Sequence, residues 1–167
     1  TFNEINNQTS WMDTHPMLQN SGLKDYDRDK AQELMYLASH HELVASALVA
    51  KIAHEINPDL MIGAMIAMNP VYPASSNPED ILMAQRAMQT RYYWGDVHAL
   101  GEYPNWLLNF WDHKGFKIDI TEEDKKLLRE NTVDYVAFSY YMSWTVKSTG
   151  DEWLEYDESQ NHGDNPF

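Results

Sequence analysis

The chain has 167 residues, 43% of them hydrophobic, which is enough for one domain with a sizeable core. Its formal net charge of −14 argues against nucleic acid as a partner and against binding to an anionic membrane surface. No apolar run is long enough to cross a membrane, and the first residues lack the pattern of a signal peptide. The absence of cysteine excludes a disulfide framework and a thiolate nucleophile, and it fits a reducing, cytoplasmic setting.

A long helix is predicted over residues 26–57, followed by a buried strand. Asn57-Pro58 ends the helix, because proline cannot continue the hydrogen-bond ladder. Residues 60–70 are apolar on both faces and predict a strand of a parallel sheet, with Met61 in the core. The apolar stripe of the helix is predicted to comprise Leu34, Ala38, His41, Ala45, Leu48 and Ile52.

The second half of the chain predicts three more helices and one more strand. Asn77 and Pro78 mark the start of a helix that a Gly/Pro-punctuated segment interrupts at residues 94–106. The other two helices are expected over residues 105–115, closed by glycine, and over residues 120–131, started by a threonine capping box. Residues 133–144 are β-branched and aromatic and predict a buried strand. The acidic segment 147–167 is expected to be a polar loop.

This order predicts an α/β fold with a parallel sheet. Residues 1–4 resemble the end of a strand, and each predicted strand runs into a polar or aromatic loop at its carboxyl end. In a (β/α)₈ TIM barrel the chemistry lies at that end of the strands, and such barrels need about 250 residues. We therefore expect a central portion of one barrel domain, from the end of strand 4 to the loop after strand 6.

Glu4 is the first candidate for chemistry, because it ends a predicted strand between Asn3 and Asn6, whose amides can orient a sugar hydroxyl or the carboxyl. The stretch "TFNEINNQ" resembles the Thr-Phe-Asn-Glu motif of glycoside hydrolase family 1. Further segments of residues 1–146 resemble that family in the same order, including "IGAMIAMNPVYPASSNPED" and "VDYVAFSYYMS". Ile5, Ala67 and Ser139 are similar to the residues of bacterial 6-phospho-β-glucosidases at these places.

The resemblance implies a role for three residues. Glu4 matches the general acid/base, which protonates the leaving oxygen and then deprotonates the incoming water. Asn3 matches the residue that binds the sugar 2-hydroxyl. Tyr141 matches the tyrosine that orients the nucleophilic carboxylate. The implied activity is retaining hydrolysis of 6-phospho-β-glucosides, with a phosphorylated β-glucoside as the partner and no cofactor or metal.

The family's nucleophile has no counterpart in this chain. The family places it in a Glu-Asn-Gly motif, whereas "RENT" lies on a predicted helix and lacks the glycine, so Glu130 is expected to be a solvated helix residue. A retaining mechanism needs two carboxyl groups about 5–5.5 Å apart. We therefore expect the isolated chain to be inactive. We also expect it either to associate with itself or to need the missing barrel segments as partners.

Other groups of residues allow more than one interpretation. His40-His41-Glu42 lacks metal-ligand spacing, and His41 is expected in the core. The acids at 152, 155, 157, 158 and 164 favour a solvated loop over a calcium site.

Trp11, Tyr72 and Trp144 are candidates for the rim of the site. The cluster Tyr92, Tyr93, Trp94, Trp106, Phe110 and Trp111 is expected to be core rather than a sugar platform. The alternative function is a non-catalytic carbohydrate-binding or self-associating barrel fragment.

Overall fold

The computed structural model describes residues 1–9, 21–148 and 162–164. One long helix, two strands, three helices and three strands follow one another along the described chain, and short 3₁₀ helices at Ile5–Thr9 and Arg28–Lys30 precede them. The helices are α1 (Ala31–Ile56), α2 (Pro78–Leu100), α3 (Asn105–Lys114) and α4 (Glu122–Glu130). The strands are β1 (Gly63–Met68), β2 (Val71–Pro73), β3 (Tyr135–Tyr140), β4 (Trp144–Val146) and β5 (His162–Asp164).

The strands form two small sheets. In the first, β1 and β3 are parallel, with Gly63 opposite Tyr135 and Met68 opposite Tyr140. The helices between these strands form the crossover that a parallel pair requires, so the predicted parallel arrangement is confirmed. In the second sheet, β2 is parallel to β4, and β5 is antiparallel to β4.

Four segments differ from the sequence predictions at this edge of the fold. β2 and β5 lie where loops were predicted, and β4 begins at the last residue of the strand predicted over residues 133–144, because three-residue strands carry too few residues for a periodic pattern. Residues 1–4, predicted as a strand end, are not in a strand. Thr1 N nevertheless donates to Gly63 O at 2.6 Å, which holds this segment beside the start of β1.

The ends of the helices follow the capping signals. Asn77 caps α2 through a bond from Glu79 N, and Thr121 and Asp124 form the predicted capping box of α4. The predicted interruption of α2 is wrong, since the helix continues to Leu100 and ends at Gly101, which has φ 72°. Packing explains this, because Trp94, Val97 and His98 are buried on one side of the helix and offset the small helix cost of a glycine.

α1 begins later than predicted and buries a different face. The 3₁₀ turn Arg28–Lys30 precedes it, and its buried residues include Tyr36, Leu43 and Ala47. His41 is exposed, whereas His40 is 1% exposed, so the predicted core histidine is wrong by one position. Leu48 and Ile52 of the predicted stripe are also exposed. The second half of this helix is apolar on nearly every side, so periodicity does not select a face.

The main core is aromatic and lies among the helices and β1. Tyr93, Trp94 and Trp111 are buried, and the rings of Tyr93 and Trp94 stack with centroids 5.3 Å apart. Tyr92, Trp106 and Phe110 pack against this core, which confirms the predicted role of the cluster. Met61 was predicted in the core but is 64% exposed, because β1 begins only at Gly63.

β3 is the main exception to the predicted burial. It was predicted as a buried strand, yet Tyr135, Val136 and Phe138 are all exposed. Within the described residues β1 is its only strand partner, so its other edge carries unpaired backbone groups. Its composition suits a strand covered on both faces. The chain therefore presents a strand whose side chains are apolar and whose surroundings are incomplete.

Candidate functional site

Glu4 lies at a sharp turn between the first residues and the 3₁₀ helix Ile5–Thr9. Its φ of 50° is the only positive value for a non-glycine residue among those described, and Asn7 N donates to Glu4 O at 2.9 Å. Asn7 also donates from Nδ2 to Glu4 Oε2 at 3.1 Å. The carboxyl group is therefore held by the turn that follows it, and it remains partly exposed.

Tyr141 follows β3 directly and meets Glu4 across 137 positions of sequence. Its hydroxyl donates to Glu4 Oε1, and this bond is the main cause that raises the pKa of Tyr141. The structure thus brings together two of the three predicted site residues at the carboxyl end of β3. The third, Asn3, is exposed and adjacent to Glu4 in sequence. The expected partner of Tyr141 was a nucleophile, whereas here its partner is Glu4.

Asn6 anchors the segment that carries Glu4. The sequence analysis instead expected its amide to orient a sugar hydroxyl or the Glu4 carboxyl. Its Nδ2 donates to Ala67 O at 3.0 Å, and its Oδ1 accepts from Ala67 N at 2.8 Å. The side chain is 1% exposed and replaces the two backbone bonds that a neighbouring strand would make with β1. Asn6 therefore fixes the position of Glu4 relative to the end of β1, and its amide is not available to orient a sugar hydroxyl.

A second set of contacts joins the ends of β1 and β4. The guanidinium of buried Arg91 donates to Asn69 Oδ1 at 3.1 Å and lies 4.8 Å from the ring centroid of Trp144. Tyr92 accepts from Asn69 N through its hydroxyl at 2.7 Å. Trp144 is half-buried at this rim, Tyr72 is exposed, and the third rim candidate, Trp11, lies outside the described residues.

Asp80 fixes the segment that follows β4. Ser75 Oγ donates to one of its carboxyl oxygens at 2.6 Å, and Ser148 N donates to the other at 2.8 Å. These bonds, the one from Ser75 above all, lower the pKa of Asp80. Asp80 lies in the first turn of α2, and nothing local in the sequence signals its distant contact with Ser148.

The remaining buried polar groups serve the core. His40 bonds Tyr103 at 2.9 Å and Asp124 at 3.4 Å, which ties α1 to the capping box of α4. Burial raises the pKa of Glu42 to about 7 and lowers the pKa of His98 to about 4.

No metal cluster accompanies these groups. Among residues 1–9, 21–148 and 162–164, no group of three or more His, Asp or Glu could hold a metal ion. Glu130, the last residue of α4, is exposed as predicted. The acidic residues at 152, 155, 157 and 158 lie outside the described residues, as does the side chain of residue 164.

Comparison with known proteins identifies the family. The model of "Glycosyl hydrolase family 1" matches residues 1–166. The chain belongs to this family. Its fold is accordingly part of a TIM barrel, and the elements described above are the central portion of that barrel. The family assignment agrees with the resemblance found in the sequence.

Two curated relatives are named for phosphorylated substrates. The aryl-phospho-beta-D-glucosidase BglA of Bacillus subtilis is 47% identical over 148 residues, which cover 89% of this chain and 31% of the relative. A 6-phospho-beta-glucosidase of Clostridium longisporum is 41% identical, and the match covers 86% of this chain and 29% of that relative. The chain thus spans about a third of the length of these relatives.

Two solved structures show the same fold. The virulence factor SghA of Agrobacterium tumefaciens matches 100% of this chain and 34% of its own, at 21% identity and a TM-score of 0.70. A family 1 glycoside hydrolase of Thermotoga maritima matches 90% of this chain and 32% of its own, at 23% identity and a TM-score of 0.66. Among the helices described for this chain, none combines the length and the apolar character that a membrane span requires.

Proposed function

We propose that the complete protein hydrolyses 6-phospho-β-glucosides with retention of configuration. The observation that carries this proposal is the contact between Glu4 and Tyr141 at the carboxyl end of β3, which is where TIM barrels place their catalytic groups. The substrate class follows from the relatives, several of which are named as enzymes for phosphorylated β-glucosides. We propose a cytoplasmic location, because the absence of cysteine fits a reducing compartment.

Glu4 is the proposed general acid/base of this reaction. In the first step its proton passes to the glycosidic oxygen while a second carboxylate attacks the anomeric carbon. In the second step Glu4 takes a proton from water, which attacks the same carbon and releases the sugar. Asn3, exposed next to Glu4, is proposed to bind the 2-hydroxyl of the sugar. Tyr141 is proposed to transfer its hydrogen bond from Glu4 to the nucleophile when that carboxylate is present. These steps use side chains alone, and we expect no metal or organic cofactor.

The purified 167-residue chain is expected to be inactive. Glu4 is the one carboxylate that meets Tyr141 in the described structure, and double displacement requires a second carboxylate opposite it. The measurement is hydrolysis of an aryl 6-phospho-β-glucoside by the chain and by its Glu4→Gln variant. Turnover by the chain that is lost in the variant would contradict this expectation.

The proposed function itself is tested in a completed barrel. We define this as BglA of B. subtilis in which the matching 148-residue segment of the present chain replaces its own. Hydrolysis of the aryl 6-phospho-β-glucoside at a rate within about tenfold of BglA, with a much lower rate on the unphosphorylated glucoside, would support the proposal. A folded chimera that hydrolyses neither, or prefers the unphosphorylated glucoside, would refute it.

The exposed β3 favours a second function, that of a self-associating barrel fragment. Its free edge and its exposed Tyr135, Val136 and Phe138 form a surface that another strand can cover. We expect the purified chain to form dimers or larger species, measured by light scattering. The Phe138→Lys variant should shift the distribution toward monomer, whereas Leu100→Lys, an equally apolar and exposed site at the end of α2, should not. A monodisperse monomer would contradict this expectation.

A further inference from the structure

Asn7 is the polar residue whose contact with Glu4 the proposed reaction has not used. It lies three residues after Glu4, in the same 3₁₀ turn, so its backbone and its side chain both bond Glu4. Because a carboxylate only accepts hydrogen bonds, the atom of Asn7 that faces it is the amide nitrogen. The contact is therefore N–H donation to Oε2 at 3.1 Å.

From this geometry we propose that Asn7 is the positioning residue of the acid/base. It holds Oε2 of Glu4 and leaves Oε1, the oxygen that faces Tyr141, to carry the transferred proton. The inference rests on the proposed role of Glu4. Asn7 determines which of the two Glu4 oxygens transfers the proton. The proposed role of Glu4 alone does not say which oxygen this is.

The two donors on Glu4 differ in how firmly they are tied to it. Tyr141 lies on a separate part of the chain, after β3, and in the proposed reaction it serves the nucleophile. Asn7 belongs to the turn of Glu4 itself, and that turn is anchored to β1 by the buried Asn6. Asn7 thus stays with Glu4 through both steps, whichever partner Tyr141 has.

The bond from Asn7 bears on the same oxygen of Glu4 in both steps. In the first step Glu4 gives a proton to the leaving group, and in the second step it takes one from water. Because the amide of Asn7 holds Oε2, Oε1 is the oxygen available for both transfers.

The first test is an NMR measurement on the isolated chain, which requires no activity. The side-chain amide signals of Asn7 are assigned through their loss in Asn7→Ala. They should shift in Glu4→Gln, because the charged oxygen that accepts the bond is removed. The amide signals of Asn131, whose Nδ2 donates at 2.8 Å to Leu127 O, are the matched control and should stay in place. Asn7 signals that shift no more than those of Asn131 would overturn the inference.

The second test is kinetic and uses the completed barrel. Asn7→Ala should lower kcat/KM about tenfold for a phenyl 6-phospho-β-glucoside and much less for the dinitrophenyl analogue, whose leaving group needs little protonation. Equal losses on both substrates would mean a structural role only and would overturn the inference. Absence of activity in the folded parent chimera would instead refute the proposed function, and the NMR measurement would still decide whether Asn7 holds Glu4.

Discussion

Replacing Glu4 by Gln in the completed barrel is expected to lower kcat/KM for phenyl 6-phospho-β-glucoside by about 10²–10⁴-fold, because general acid–base assistance contributes about that much. Glutamine keeps the shape of the side chain and can still accept from Tyr141, but it carries no transferable proton. The loss should be much smaller for the dinitrophenyl analogue in the first step, since that leaving group departs without a proton. Steady-state kinetics on the two substrates measure this difference.

The matched control for this prediction is Glu130→Gln. This substitution makes the same change in charge and volume, and Glu130 is exposed at the last position of α4. Its variant should retain the activity of the parent within about twofold, since surface substitutions away from special features have small effects. A loss below tenfold for Glu4→Gln on the phenyl substrate would refute the proposed acid/base role of Glu4.

The elements that could be predicted from the sequence are those with local signals. The apolar runs around β1 and β3, the cap at Asn77 and the glycine after α3 each act through their own neighbours, and each prediction is confirmed. The face of α1 could not be predicted in the same way. There the choice is made by the partners that cover the helix, and the helix sequence allows several faces.

The site divides along the same line. Glu4 and Tyr141 could be predicted because their flanking motifs resemble a family, and the structure brings the two side chains into contact. Asn6 could be singled out but not interpreted, since its partner Ala67 lies 61 positions away. The contact of Asp80 could not be predicted for the same reason, because its bond from Ser148 N spans 68 positions. Contacts of this kind depend on the register between elements, which no local pattern encodes.

The exposure of β3 has a related cause. Its composition predicts burial, and the structure shows an exposed strand with one described neighbour. The contradiction disappears if the strand is considered with the rest of the barrel, because the chain spans about 31% of the length of its relative BglA. Sequence composition here reports the environment of the complete domain. The described residues report only the part that they contain.

Replacing Asn6 by Ala is expected to have the largest effect on stability, a loss of about 2–4 kcal/mol in the free energy of unfolding. The change removes three hydrogen bonds, two with Ala67 and a longer one to Arg91 O. It leaves N–H and C=O of the buried Ala67 without the amide as their partner, at a cost of about 1–3 kcal/mol for each group. Urea unfolding of the chain, followed by tryptophan fluorescence, measures the loss. Because Asn6 connects Glu4 to β1, the same variant should also weaken the contact between Glu4 and Tyr141.

Asn109→Ala is the matched control for this effect. Asn109 is exposed on α3, where alanine is a better helix former, so its replacement should change stability by no more than about 0.5 kcal/mol. A loss below about 1 kcal/mol for Asn6→Ala would show that water replaces the amide at Ala67. Asn6 would then not be the anchor of the segment that carries Glu4, and the position of Glu4 relative to β1 would have to be set by the bond from Thr1 N to Gly63 O.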